Sequence, residues 1–164
     1  MKKFFLAAIM SPFAVLFLMG CQKSMEKFSS PDALSMGNEN KNDNGTIWVM
    51  NVQLSGLNEV PTNTAGATGV AILRLTKDSV LHSKVKVDAP EAVGNLTAAH
   101  IHEAAAGVNG PVRIFLCHNA DEFGMNMETK LTPAQYTILT TAAHLYVNAH
   151  SVVFPAGVAR GQIR

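Results

Sequence analysis

The chain has 164 residues, with 13 Lys or Arg against 12 Asp or Glu, and its formal net charge is +1 at pH 7 with neutral histidines. This length is enough for one domain with a hydrophobic core and not for two. The near-neutral charge gives no basic face of the kind that binds nucleic acid, and two cysteines are too few for a disulfide scaffold.

The first twenty residues have the pattern of a secretory signal peptide. Lys2 and Lys3 precede an apolar run over residues 4–18, which contains Pro12. A membrane-spanning helix needs roughly 20 apolar residues, so a removable export signal fits this segment better. We therefore expect residues 1–20 to be removed, which leaves 144 residues with a formal charge of −1.

The export signal ends in Leu18-Met-Gly-Cys21, which resembles a bacterial lipobox. The resemblance implies that the Cys21 sulfur receives diacylglycerol, that cleavage follows Gly20, and that the mature chain is a lipoprotein carrying fatty acids such as palmitate. An ordinary signal peptide, or an N-terminal helix with a chance cysteine, are the alternatives. If Cys21 carries lipid, Cys117 has no disulfide partner in the chain, and we expect it to be a core side chain. A reactive or metal-binding role for Cys117 beside His118 is the alternative.

Residues 22–45 are polar and poor in apolar side chains. We expect residues 21–45 to be a lipidated cysteine with a flexible tether, whose mean random-coil reach is roughly 25–30 Å. The folded domain is expected to occupy residues 46–164.

Alternating apolar and polar residues dominate this domain and predict β-strands with one buried face. Trp48, Met50, Val52 and Leu54 alternate with polar or exposed positions in the clearest case. Short strands at this spacing, separated by turn residues, predict an antiparallel β-sandwich or barrel of about seven or more strands. The predicted strands are 48–54, 69–76, 81–87, 96–102, 112–117, 145–153 and 158–163.

One helix is expected among the strands. Thr132 is a capping residue, Pro133 occupies the first helical position, and Gln135 follows the cap by three residues. These signals predict a short helix near residues 133–142. Residues 118–130 have no period and are expected to form a long loop.

Three histidines on predicted strands form a candidate metal site. His100 and His102 are two apart, so their side chains point to the same face of a strand. His150 lies on a later strand and also points away from the core-facing positions. A third imidazole beside such a pair is a suitable geometry for Zn²⁺ or Cu²⁺, provided that the two strands are neighbours.

Side chains near this candidate site offer partners that would orient the imidazoles, namely Glu103, Asn109 and Asn148. The alternative is that the histidines only hydrogen-bond to backbone or carboxylate groups. We expect His82, His118 and His144 to be surface or rim residues. Ser151 beside His150 does not indicate a hydrolase, because adjacent strand residues face opposite sides and no acid lies at a recognisable spacing.

Several motifs in the same order resemble those of the CHRD (chordin) domain family. They cover nearly the whole predicted domain, from Ile47 to Arg164. The motifs are Leu54-Ser-Gly-Leu-Asn-Glu-Val-Pro61, Ala67-Thr-Gly69, Ala98-Ala-His-Ile-His102, Gly107-Val-Asn-Gly-Pro-Val112, Tyr146-Val-Asn-Ala-His-Ser151, Pro155-Ala-Gly157 and Arg160-Gly-Gln-Ile163.

The chain departs from the family pattern at three positions. Glu103 stands where the family usually has Gly, Val158 replaces an acidic residue, and Ala159 replaces Ile. If the missing acid normally orients a histidine or pairs with Arg160, its loss here weakens the site or leaves Arg160 with another partner.

The resemblance implies a β-sandwich module, immunoglobulin-like or superoxide-dismutase-like, found in secreted animal regulators of growth-factor signalling and in bacterial exported proteins. The His-x-His strand is also similar to the ligand strand of copper/zinc superoxide dismutases, although no bridging histidine, aspartate or disulfide accompanies it. The main hypothesis is a binding module that holds copper or zinc through His100, His102 and His150, with Asn148, Arg160 and Glu103 as supporting residues. A metal-free module that recognises an extracellular protein or glycan is the first alternative, and a dismutase-like metalloenzyme is the second.

The expected location is the cell envelope, where the lipid on Cys21 anchors the domain to a membrane. By resemblance to sorting rules in diderm bacteria, Gln22 favours the outer membrane, with the domain in the periplasm or outside the cell.

Overall fold

The computed structural model describes residues 45–91 and 94–164. The predicted signal peptide, Cys21 and nearly all of the predicted tether lie outside these residues. Within them, no helix has the length and apolar character that a membrane span requires.

The described domain contains eight strands and one α-helix, which confirms the all-β prediction. Their bounds are β1 (Thr46–Ser55), β2 (Thr68–Thr76), β3 (Val80–Asp88), β4 (Leu96–His102), β5 (Val112–Cys117), β6 (Met127–Lys130), α1 (Pro133–Thr141), β7 (Tyr146–Ser151) and β8 (Ala159–Gln162).

All strands belong to one antiparallel sheet in the order β5-β4-β7-β8-β1-β2-β3-β6. The sheet curls until the Cα atoms of its two edge strands, β5 and β6, come within 8 Å of each other. The result is a nearly closed barrel, so the barrel form of the prediction is confirmed.

The interior of the barrel is apolar because one side of each strand points inward, as period-two alternation requires. On β1 the inward residues are Trp48, Met50, Val52 and Leu54, as predicted. The core residues with no exposed surface include Ala71, Leu73, Leu75, Leu81, Ile101, Ile114, Leu145 and Val147.

The prediction that residues 118–130 form a loop throughout is wrong at one place, because β6 lies within this segment. Its four residues alternate between half-buried and exposed, and it pairs with β3 alone. A short edge strand with two charged residues has no apolar run that would mark it in the sequence.

Helix α1 forms where the sequence predicts it and packs against the core through Leu139. The Thr132 Oγ1 atom accepts from the Gln135 backbone N–H at 3.2 Å, and the Gln135 side chain accepts from the Thr132 N–H at 3.0 Å. At the other end, the Arg164 guanidinium donates to the carbonyls of Leu139 and Ala142, at 2.6 and 2.8 Å. Both helix ends therefore have side-chain hydrogen-bond partners for some of their free backbone groups.

We expect Leu139→Ala to lower the free energy of unfolding by about 2–5 kcal/mol, because it leaves a cavity around a side chain with no exposed surface. Leu57→Ala is the matched control: Leu57 is 68% exposed, and its truncation should cost less than about 0.5 kcal/mol. Denaturant unfolding of both variants measures the difference, and equal losses would contradict the described packing of α1.

Candidate metal centre

The three candidate histidines lie together because β4 and β7 are neighbours. In the antiparallel register, His100 is opposite Asn148, and Ala98 is opposite His150. Ala99 and Ile101 alternate with the histidines and are buried in the core. All three imidazoles therefore project from the outer face of the barrel wall.

One ring nitrogen from each of His100, His102 and His150 lies within 4.8 Å of the other two. The shortest separation is 3.1 Å, between His100 Nδ1 and His150 Nε2. Tetrahedral ligands at a zinc–nitrogen distance of about 2.0–2.1 Å lie roughly 3.3 Å apart. One pair is thus already at ligand spacing, and His102 offers a third ring nitrogen within 4.8 Å of both.

Hydrogen bonds to two backbone carbonyls determine which ring nitrogen carries the hydrogen in His102 and in His150. His102 Nδ1 is 2.9 Å from the carbonyl oxygen of Gly110, and His150 Nδ1 is 3.1 Å from that of Pro155. Because a carbonyl only accepts, both Nδ1 atoms carry hydrogen and both Nε2 atoms have a lone pair. A carbonyl partner of this kind is typical of metal-ligating histidines.

His102 Nε2 has no hydrogen-bond partner among the described residues, although it is buried. The imidazole is 7% exposed and stacks on Tyr146, with ring centroids 4.9 Å apart. A buried nitrogen lone pair without a donor is costly. Because Nδ1 is occupied by the Gly110 carbonyl, Nε2 is the atom through which His102 could bind a metal ion.

All three imidazoles favour the neutral form that ligation requires. Burial, together with the neighbouring imidazoles, lowers the pKa of His100 to about 4. Burial also lowers the pKa of His102 and of His150, although the carbonyls of Gly110 and Pro155 oppose the shift. Near neutral pH the cluster therefore keeps its lone pairs.

Arg160 supports the cluster from the side away from the metal ligands. Its guanidinium carbon lies 3.5 Å from the centroid of the Tyr146 ring, so His102, Tyr146 and Arg160 form one stack. The guanidinium donates to the carbonyls of Ala105 and Val108, at 3.0 and 2.9 Å. It also donates to Asn109 Oδ1 at 3.3 Å. In place of the acidic residue that this chain lacks, the loop of residues 105–109 is therefore the partner of Arg160.

The other proposed supporting residues have partners away from the histidines. Glu103 pairs with Arg113 at 2.9 Å, and Asn148 Nδ2 lies 3.4 Å from Glu59 Oε2. Asn109 Nδ2 donates to the Val60 carbonyl at 2.7 Å. Glu103, Asn109 and Asn148 therefore hold the loops around the site. The backbone carbonyls of Gly110 and Pro155, and not these side chains, orient the imidazoles.

The absence of a side chain at Gly110 lets its carbonyl come close enough to accept from His102. A Cβ at this position would overlap the backbone of Glu103, so only glycine allows so close an approach. The Gly110 N–H also donates to the Tyr146 hydroxyl at 3.1 Å. The Asn109-Gly110 turn signal marks this position in the sequence, but its hydrogen bond to His102 depends on the three-dimensional path of the loop.

The remaining histidines and Cys117 lie outside the cluster. His118 pairs with Glu122 at 3.2 Å and stacks on Phe115, while His82 pairs with Glu128 at 3.1 Å. Cys117 is fully buried, and burial raises the pKa of its thiol to about 12. The thiol therefore stays protonated within the core, where a free cysteine acts as a small apolar side chain.

Comparison with known proteins gives one match. The family model for the CHRD domain matches residues 50–163, which include all three clustered histidines and Arg160. No curated protein and no solved structure matches the chain. Since the family match covers well over half of the sequence, the chain belongs to the CHRD domain family.

Proposed function

We propose that this domain is a binding module that holds one copper or zinc ion through His100 Nδ1, His102 Nε2 and His150 Nε2. The observation that carries the proposal is the buried Nε2 of His102, which has no partner in the described chain. Imidazole nitrogens are suitable ligands for both ions.

A metal-free hydrogen-bond network explains only two of the three histidines. With its hydrogen on Nδ1, His150 can accept at Nε2 from His100 Nδ1–H across 3.1 Å. That arrangement leaves His102 Nε2 without a donor. A metal ion held by the three histidines would take the place of the proton between His100 and His150 and would satisfy all three nitrogens together.

We also propose a membrane location for this module. The lipobox-like motif ending at Cys21 supports an envelope lipoprotein whose domain is tethered by residues 22–45. An exported domain meets metal ions from the surroundings of the cell, which suits a module that binds them.

We expect the full chain, purified without a histidine tag and stripped with chelator, to take up about one equivalent of Zn²⁺ or Cu²⁺ and to unfold at higher temperature when loaded. His102→Ala should weaken binding by on the order of 100-fold or more, because it removes a ligand. His144→Ala, at an exposed position outside the cluster, is the control and should bind as the wild type does. Elemental analysis and calorimetric titration measure uptake, and a wild-type protein that neither carries nor is stabilised by either ion contradicts the proposal.

We expect the stability of the metal-free protein to fall as the pH decreases from about 6.5 toward 4, the value to which the pKa of His100 is lowered. Over this range the unfolded chain binds protons that the folded imidazole excludes, so acid favours unfolding. Metal affinity should fall in the same window, because protons compete for the ligand nitrogens. Denaturant unfolding at a series of pH values should show a smaller acid-induced loss in His100→Gln than in His144→Gln. The same loss in both variants would show that His100 is not held neutral.

A further inference from the structure

A second candidate site lies on the outer face of β8, outside the histidine cluster. It is a cavity of about 500 Å³ between the loop after β1, the loop after β4 and β8 itself. This volume is within the range of small-molecule sites, which is roughly 300–1,000 Å³. Its lining includes Leu57, Glu59, Val60, Pro61, Gly107 and Arg160.

Glu59 lines this cavity, and its carboxyl group is incompletely hydrogen-bonded. The residue is only 5% exposed, and its Oε1 atom has no hydrogen-bond partner in the described part of the chain. Its other oxygen, Oε2, lies 3.4 Å from Asn148 Nδ2, at the long limit of a hydrogen bond. A buried carboxyl oxygen without a donor is costly, so a donor from a ligand would stabilise the folded state.

Arg160, the charged neighbour of Glu59, does not supply that donor. The described hydrogen bonds of the Arg160 guanidinium go to Ala105, Val108 and Asn109 and not to Glu59. Gly157 packs directly behind the carboxyl group, with φ of 147°, and a Cβ there would overlap Glu59 Oε2 and Asn148 Nδ2. The carboxyl group is thus held in place beside the cavity.

The charges around the cavity select the chemistry of the ligand. An ammonium group at Glu59 would meet the permanent charge of Arg160, whereas an anion would meet the Glu59 carboxyl group and find the guanidinium already engaged. Burial raises the pKa of Glu59 to about 7, against the opposing effects of the Asn148 hydrogen bond and the Arg160 charge. Because this pKa lies near neutral pH, the carboxyl group is partly protonated and does not require a cationic partner. A neutral hydroxyl donates a hydrogen bond without either penalty.

Apolar side chains also line the cavity. Leu57, Val60 and Pro61 line the cavity, and Leu57 is 68% exposed, which places it at the mouth. A saccharide ring presents hydroxyl groups at its edge and C–H groups on its face, and so matches a polar base with an apolar wall.

We propose that this cavity binds a neutral saccharide, with a ring hydroxyl donating to the Glu59 carboxyl group and a C–H face of the ring against Leu57. The site is separate from the three histidines, so the proposal does not rest on metal binding.

The test uses the full chain in excess chelator, which removes any contribution from metal. Maltose, cellobiose, lactose and N,N′-diacetylchitobiose are the probes, with cyclohexylamine and cyclohexanecarboxylate as charged competitors, and ligand-observed NMR measures binding. We expect at least one disaccharide to bind at millimolar concentration and the charged compounds to bind more weakly. Glu59→Gln, which replaces one acceptor by a donor, should reduce affinity by about tenfold.

Two further variants keep the outcome interpretable. Glu128→Gln changes a carboxylate that is largely exposed on β6, and it should bind as the wild type does. Leu57→Ala should weaken binding by about threefold to tenfold, and its exposed position makes a folding defect unexpected. The proposal is overturned if no disaccharide binds, if the amine or the carboxylate binds more tightly than every disaccharide, or if Glu59→Gln and Leu57→Ala leave binding unchanged.

Discussion

The arrangement of this domain depends on the burial of one permanent charge, the guanidinium of Arg160. Arginine stays protonated in proteins, so a buried guanidinium needs acceptors on its edge and a suitable surface on its face. Here the 105–109 loop supplies the acceptors and Tyr146 supplies the face. The loop must therefore fold back over β8 and β7. That fold encloses an outer face of the barrel that solvent would otherwise cover.

The stack of His102, Tyr146 and Arg160 connects the two candidate sites. His102 faces the other two imidazoles, whereas Arg160, at the opposite end of the stack, lines the cavity that contains Glu59. The same loop carries the Gly110 carbonyl that orients His102. One loop conformation thus orients His102 in the candidate metal site and also lines the candidate cavity.

Much of the fold could be predicted from the sequence because local patterns determine it. The alternation of Trp48, Met50, Val52 and Leu54 describes β1, and Thr132 with Gln135 marks the beginning of α1. Strand β6 could not be found in this way, since it is defined by its long-range pairing with β3 and has no apolar pattern of its own.

The candidate site could be predicted only in part. Strand alternation indicates that His100 and His102 share a face, but the position of His150 beside them depends on the pairing of β4 with β7, which local sequence does not encode. The carbonyls of Gly110 and Pro155 could not be predicted, because every residue has a carbonyl and only the loop path selects these two. Glu59 lies within a recognised motif, yet its burial under Gly157 is a long-range contact.

The two edges of the curled sheet have a consequence for how copies of this protein behave when crowded. An open strand edge offers unpaired N–H and C=O groups to another chain. On β6 that edge is only four residues long and carries the exposed Glu128 and Lys130, while on β5 the Arg113 carbonyl accepts from Gln135 of α1 at 3.2 Å. Neither edge provides a long, flat template for strand addition. Pairing of copies along either strand edge is therefore disfavoured.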